Sequence, residues 1–255
     1  CMMGYHRKEV VDVWICRWIN LQQRERERVS MKIWHISDTH EMHDQLKVPD
    51  GIDMVIHSGD MTNSRRMDKN SVELWPFIDW FKSLPISHKV LIAGNHDSAI
   101  EGRMLTQADW DRWQIHYLEN NWVEISGYKI WGSPVTPQFN NWCFMMSRDK
   151  THKVWDIIPN DTDIVVTHGP PQGILDLTEN RDGTLEQVGC KSLANRMEKL
   201  QPKLHCFGHI HDFKEIKNSG LLKVSGQTTM YSNAACVVDS RFREGLKHKG
   251  NIISL

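Results

Sequence analysis

The chain has 255 residues, 40% of them hydrophobic, with 31 Lys and Arg against 32 Asp and Glu. That length suffices for one large domain with a substantial core, and the balanced charge excludes a global pull toward nucleic acid or an anionic membrane. No apolar run approaches the roughly 20 residues of a membrane-spanning helix, and six cysteines without a C-x-x-C pair are too sparse to staple a chain this long. Cys1, Cys16, Cys143, Cys190, Cys206 and Cys236 therefore read as reduced thiols, and the expected compartment is the cytoplasm.

The first patterned segment is VVDVWICRWINL, residues 10–21, in which Val11, Trp14, Ile15 and Trp18 fall at helical spacing ahead of the charged RERER of residues 24–28. Asp12 and Arg17 interrupt it and no small-residue cleavage site follows, which argues against an export signal. It reads either as a docking helix or as part of an N-terminal extension, residues 1–30, outside the fold. The second reading is favoured because Met31 opens the first convincing strand, leaving residues 31–255 as one domain.

From Met31 onward one device recurs. A short apolar run rich in β-branched residues stops at a cluster of side chains able to hold a metal. MKIWHISDTH ends in Asp38 and His40, and DMVIHSGD in Asp60. VLIAGNHD ends in Asn95, His96 and Asp97, DIVVTHG in His168, and LHCFGHIH in His209 and His211. Helical patterns lie between them, around residues 72–84, 106–117 and 188–200, so strands alternate with crossovers in the manner of an α/β fold. Ligands in such folds collect beyond the carboxyl ends of the strands, where all five clusters would meet.

No cluster is specific alone, because Asp-x-His and Gly-Asp arise by chance and a single buried histidine usually just satisfies a neighbour. Five in series are specific. Their order, D-x-H, G-D, G-N-H-D, H and G-H-x-H, resembles the calcineurin-like metallophosphoesterase superfamily. GYKIWGSPVTPQFNNWCF (residues 127–144) and the stretch from THGPPQGILDL to FGHIHD (residues 167–212) are similar to its metallophosphoesterase-domain-containing branch, associated with class III cyclic nucleotide phosphodiesterases. The resemblance runs from Met31 to about Val238.

That resemblance implies an α/β fold built as a β-sandwich of two mixed sheets flanked by helices, with a dinuclear metal site at the carboxyl ends of the strands. One ion would take Asp38, His40, Asp60 and His211, and the other Asp60 as bridge with Asn95, His168 and His209. The single residue between His209 and His211 would let both reach ions roughly 3.5–4 Å apart, with Ile210 facing the other way and Gly208 giving the backbone room. Mixed imidazole and carboxylate donors suit Mn, Fe or Zn, with Mn favoured for activity. Two divalent ions bring four positive charges, Asp38 and Asp60 remove two and a bridging hydroxide a third, so the site attracts a phosphate ester without a basic patch. The implied reaction is hydrolysis of a small phosphodiester, a cyclic nucleotide among the candidates, by attack of that hydroxide. His96 would stabilise the transition state or protonate the leaving oxygen, with Asp97 orienting the histidine or its loop.

Other suggestive residues take blander readings. HEMH, residues 40–43, is one residue short of the zinc-protease signature, which leaves His43 as an exposed loop residue. His35, His57 and His205 sit inside strands and read as core. Trp131, Phe139 and Trp142 could stack on a nucleobase but more simply pack, and Arg65 or Arg66 could hold a substrate phosphate or belong to a solvated loop. A protein Ser/Thr phosphatase is the first alternative. However, Asn63 stands where that branch places an Asp paired with its catalytic histidine, which leaves any polarisation of His96 without a source. A DNA-processing nuclease would want a basic stripe that the chain lacks, and a metal-free scaffold would not keep every ligand position filled.

Overall fold

Strand residues here alternate between two apolar destinations. In β1 (Lys32–Ile36) Ile33 joins one buried cluster while Trp34 and Ile36 join another, and the same alternation sorts Met54, Val55 and Ile56 of β2 (Met54–Ser58) and Val90, Leu91 and Ile92 of β3 (His88–Ile92). A strand covered on both faces must read as a continuous apolar run, which is how MVI and VLI appear in the sequence. The computed structural model describes residues 29–238 and 245–255. The helix expected over residues 10–21, and nearly all of the 1–30 extension, lie outside the described residues.

β4 (Ile115–Tyr117) and β15 (Asn251–Ser254) complete a five-stranded sheet in the order β15-β1-β2-β3-β4, parallel except for β15. A six-stranded sheet has the order β13-β14-β12-β9-β6-β5, formed by β5 (Asn121–Ile125), β6 (Tyr128–Ser133), β9 (Ile164–Thr167), β12 (Leu204–Phe207), β13 (Gly220–Lys223) and β14 (Met230–Asn233). Its central strands run parallel and its two edge pairings antiparallel. Two short pairs stand apart: β7 (Thr136–Pro137) with β8 (Met145–Met146), and β10 (Leu177–Glu179) with β11 (Leu185–Gln187).

The two large sheets enclose Ile33, Ile56, Val90, Ile130, Ile164, Val166 and Leu204. Outside the first sheet, helix α1 (Met67–Ser83) lays Leu74, Phe77, Ile78 and Phe81 on Trp34, Val55 and Leu91. Outside the second, α4 (His152–Trp155) and α5 (Lys191–Leu200) cover Trp131 and Val165 with Trp155, Leu193 and Met197. Each such side chain contributes on the order of 1.5–3 kcal/mol by leaving water. The architecture is the expected β-sandwich of two mixed sheets flanked by helices.

Three helices differ in their bounds from expectation, the one read over residues 72–84 starting already at Met67 of α1. The helix read over residues 106–117 stops at Arg112 of α3 (Gln107–Arg112); Gln114 adopts φ +56° and Ile115–Tyr117 becomes β4, paired to Lys89–Leu91. Trp110, Trp113 and Tyr117 keep a helical spacing in the sequence, but Tyr117 stacks on Trp110 from the next element. The helix read over residues 188–200 begins at Lys191, since Val188 donates its N–H to the Asp176 carbonyl and Cys190 bridges to Pro171. α2 (Ser98–Glu101) is a single turn after β3.

His35, His57 and His205 are fully buried, as their strand positions suggested. They bond to Ser232 and Ser58, to Thr39, and to Thr167, respectively. Burial pushes each imidazole down from 6.5 to about 3. Because their folded values lie below the unfolded one, the stability they permit is complete above about pH 6.5 and is lost as pH falls toward 3. Urea denaturation at pH 7 and pH 5 should show lower stability at pH 5, by up to about 2 kcal/mol for each histidine, with proton uptake on unfolding. Equal stability at both values would overturn their neutral burial.

Candidate metal centre

Asp38 follows β1, Asp60 follows β2, Asn95 and His96 follow β3, His168 follows β9, and His209 and His211 follow β12. All leave the carboxyl ends of strands, three in one sheet and two in the other. The backbone is bent to deliver them: Asp38, His40, Asp60 and His209 adopt φ of 49°, 42°, 56° and 68°, the left-handed region that non-glycine residues occupy at a cost. Two glycines admit the carboxylates. A Cβ on Gly208 would lie 2.0 Å from Asp38 Oδ2, and one on Gly94 would lie 2.3 Å from Asp60 Oδ1.

The ligand atoms of Asp38, His40 and His211 lie within 4.8 Å of one another, as do those of Asp60, His168 and His209 and those of His40, Asp60 and His96. Asp60 joins the sets: its Oδ2 is 3.3 Å from His168 Nε2, 3.9 Å from His96 Nε2 and 4.0 Å from His40 Nε2. Asn95 Oδ1 lies 3.0 Å from His168 Nε2, and Asp38 Oδ1 3.0 Å from His211 Nε2. The structure thus brings together all seven expected ligand residues. Behind them, His40 Nδ1 meets the Thr62 carbonyl at 3.0 Å and His168 Nδ1 the Ser58 carbonyl at 2.8 Å. A carbonyl can only accept, so both rings carry a proton on Nδ1 and turn Nε2 to the centre.

The charges fit a cation. Burial alone would raise the Asp38 carboxyl, but the His211 hydrogen bond holds it well below the usual carboxylate range, and the charge of His168 does the same for buried Asp60. In return, against burial, Asp60 lifts His168 to about 9 and Asp38 raises His211. Burial pushes His40 to about 4 and His209 to about 3, leaving them neutral donors. Two buried carboxylates, imidazole nitrogens and an amide oxygen gathered at one place are the donor set of divalent first-row ions, and among the described residues no thiolate joins it.

Asp97 settles on the loop rather than the histidine. Its buried carboxylate accepts from the N–H groups of Gly94, Asp60, Met61 and Thr62 and from Thr62 Oγ1, at 2.7–3.2 Å. Five donors on one carboxylate bind the β3 loop to the β2 loop. The imidazole of His96 is held elsewhere, Nδ1 at 2.8 Å from the backbone carbonyl of Asn63. A main-chain oxygen thus occupies the role expected of an aspartate side chain.

A cavity of about 360 Å³ opens over the centre, lined by His40, Asp60, Asn95, His96, His209 and His211 and walled by Pro137, Phe139, Trp142, Pro170, Val188 and Ile210. Ile210 therefore does not face away: β12 ends at Phe207, so strand alternation no longer governs the His-Ile-His segment. Of the three aromatics singled out, Trp131 is core, whereas Phe139, 47% exposed, and Trp142 line the cavity. Arg66 pairs with Asp68 in solvent, and Arg65 lies on the Trp142 ring. Among the described lining residues the one arginine is Arg148, fixed by the carbonyls of Gly189 and Val188 at 3.3 and 3.2 Å; no motif marked it. His43 is not exposed but 5% accessible, wedged against Phe77 and Trp80.

Asp97→Ala would leave four buried N–H groups without their acceptor, so unfolding should cost at least about 3 kcal/mol less and the variant should retain less metal, measured by urea denaturation and metal analysis. Unchanged stability would show that the five bonds carry no weight.

With this geometry in place, the chain can be set beside known proteins. The sequence model of the calcineurin-like phosphoesterase family matches residues 31–213. Human metallophosphoesterase domain-containing protein 1 is 32% identical over 231 residues, a match covering 80% of this chain and 66% of that protein, so about a third of the relative lies outside it. A Caenorhabditis elegans UPF0046 protein is 32% identical over 220 residues, covering 81% of this chain and 70% of that protein. A solved crystal structure superposes with a TM-score of 0.56 at 13% identity, over 89% of this chain and 99% of that one, a likeness of fold alone. The family match spans all five strand-end clusters that build the centre, and on that ground the chain belongs to the calcineurin-like phosphoesterase family.

Proposed function

We propose that the chain is a metal-dependent phosphodiesterase acting on a small phosphodiester, with a cyclic nucleotide as the leading substrate and Mn²⁺ as the activating ion. Family membership carries the coarser statement, a metal-dependent phosphoesterase. The observation behind the finer reading is the cavity: one half is metal-ligand side chains, and the other is an apolar wall with Phe139 partly exposed and Arg148 beside it. A monoester would use the first half alone, whereas a diester has a second organic group for the wall to hold. Proximity to Arg148 suits an electron-rich heterocycle or a further acceptor.

Asp38, His40, Asp60 and His211 would hold one ion, and Asp60, Asn95, His168 and His209 the other. Bound there, divalent ions supply Lewis acidity and positive charge for phosphoryl transfer. The residues of the chain do the rest. Asp60, through Oδ2, ties the two ligand sets together. The Thr62 and Ser58 carbonyls keep His40 and His168 from turning. His96, the most accessible of the rings around Asp60 at 21%, has Nδ1 committed to Asn63, so Nε2 is the nitrogen available to pass a proton to the departing oxygen. Phe139 and Ile210 keep water from the organic part of the substrate. The four described cysteines are unpaired thiols, in keeping with a reducing, cytoplasmic setting, and no described helix is long and apolar enough to cross a membrane.

Initial rates on bis-p-nitrophenyl phosphate should exceed those on p-nitrophenyl phosphate for protein reconstituted with Mn²⁺, and both should vanish after chelation. Faster monoester turnover would overturn the diester reading. His96→Ala should lower kcat about 100-fold while metal content stays the same, because the ring donates a proton and not a ligand; loss of metal would remove that assignment.

A further inference from the structure

We propose that Trp142 is a positioning residue for the imidazole of His96, with Arg65 packed on the same indole; the inference rests on the phosphoesterase reading above. The His96 and Trp142 rings lie 4.3 Å apart between centroids, tilted by 38°. The Arg65 guanidinium carbon sits 3.4 Å above the same indole. Both partners thus engage the one indole.

That occupancy decides between two roles. An aromatic that stacks on a substrate heterocycle needs an open face. Trp142 already meets His96 and Arg65 besides lining the cavity; Phe139, 5.4 Å from His209 and 47% exposed, is the ring more open to stacking. His96 in turn has little else to fix it. Asn63 fixes one nitrogen, and a single hydrogen bond leaves the ring free to swing about it. His40 meets it edge-on at 4.8 Å, and the indole supplies the remaining wall. Trp142 is itself fixed relative to the ligands, because the next residue, Cys143, donates its N–H to the Asn95 carbonyl at 3.1 Å, and Phe144 donates its own to Glu101 Oε1 at 2.6 Å.

A proton donor is sensitive to position in a way that a ligand or a binding surface is not: its misplacement matters in proportion to how much the leaving group needs the proton. The test compares diphenyl phosphate, whose phenolate leaves poorly, with bis-p-nitrophenyl phosphate, whose leaving group needs little help. Trp142→Ala should lower kcat on the first at least about tenfold more than on the second, with metal content nearly unchanged and any rise in KM the same for both esters. Trp142→Phe should recover most of the loss, and Arg65→Ala should show a smaller loss of the same selectivity. In the metal-free protein, the His96 Cε1–H resonance, identified by its absence in His96→Ala, should sit at a ring-current-shifted position that Trp142→Leu abolishes. Equal losses on both substrates would indicate a merely structural role, a rise in KM alone a substrate platform, and an unshifted resonance no stacking; each overturns the inference. A wild type inert on both esters overturns the phosphoesterase reading itself, and this one with it.

Discussion

Two carboxylates buried at one centre, and linked there through His40, are the constraint on which this structure turns. Asp38 and Asp60 are shut away from water, where an uncompensated charge is costly. Every feature nearby answers that cost: imidazoles ring them, the His209 and His96 amides donate to them, and two glycines make way for them. Four strained residues are held in place by the surrounding sheets. Asp60 and Asp38 raise the proton affinity of His168 and His211 against their burial, and a divalent ion would meet the same negative charge with a geometry that a proton lacks.

The site was more legible in the sequence than the fold around it. A strand that ends in ligands announces itself because apolar continuity and polar termination are both local, so Asp38, Asp60, Asn95, His168 and His209 could each be placed at a strand end. What strand pattern does not encode is the path after the strand stops. Ile210 lines the cavity because φ at His209 breaks the alternation, and His43 is buried because α1, far along the chain, brings Phe77 and Trp80 over it. Residues 106–117 read as one helix because a helical period of apolar residues runs on across the end of α3 and the start of β4.

Asn63 shows a limit of another kind. Side-chain identity at that position suggested a missing partner for His96, yet the contact is made by the backbone, and a carbonyl is present whatever residue stands there. Main-chain groups orient His40 and His168 in the same way. Sequence names the ligands; it is silent about the carbonyls that aim them. Arg148 was hidden for a similar reason, since its place at the cavity depends on where the chain carries Val188 and Gly189.

The ligands divide between the sheets, with Asp38, His40, Asp60 and Asn95 on one side and His168, His209 and His211 on the other. The centre is therefore a property of the packed sandwich and of neither sheet alone: residues up to 95 supply four of the seven donors, and the set is complete only where β9 and β12 bring His168, His209 and His211 against them. Anything that parts the two sheets divides the donors, even where each sheet keeps its own strands.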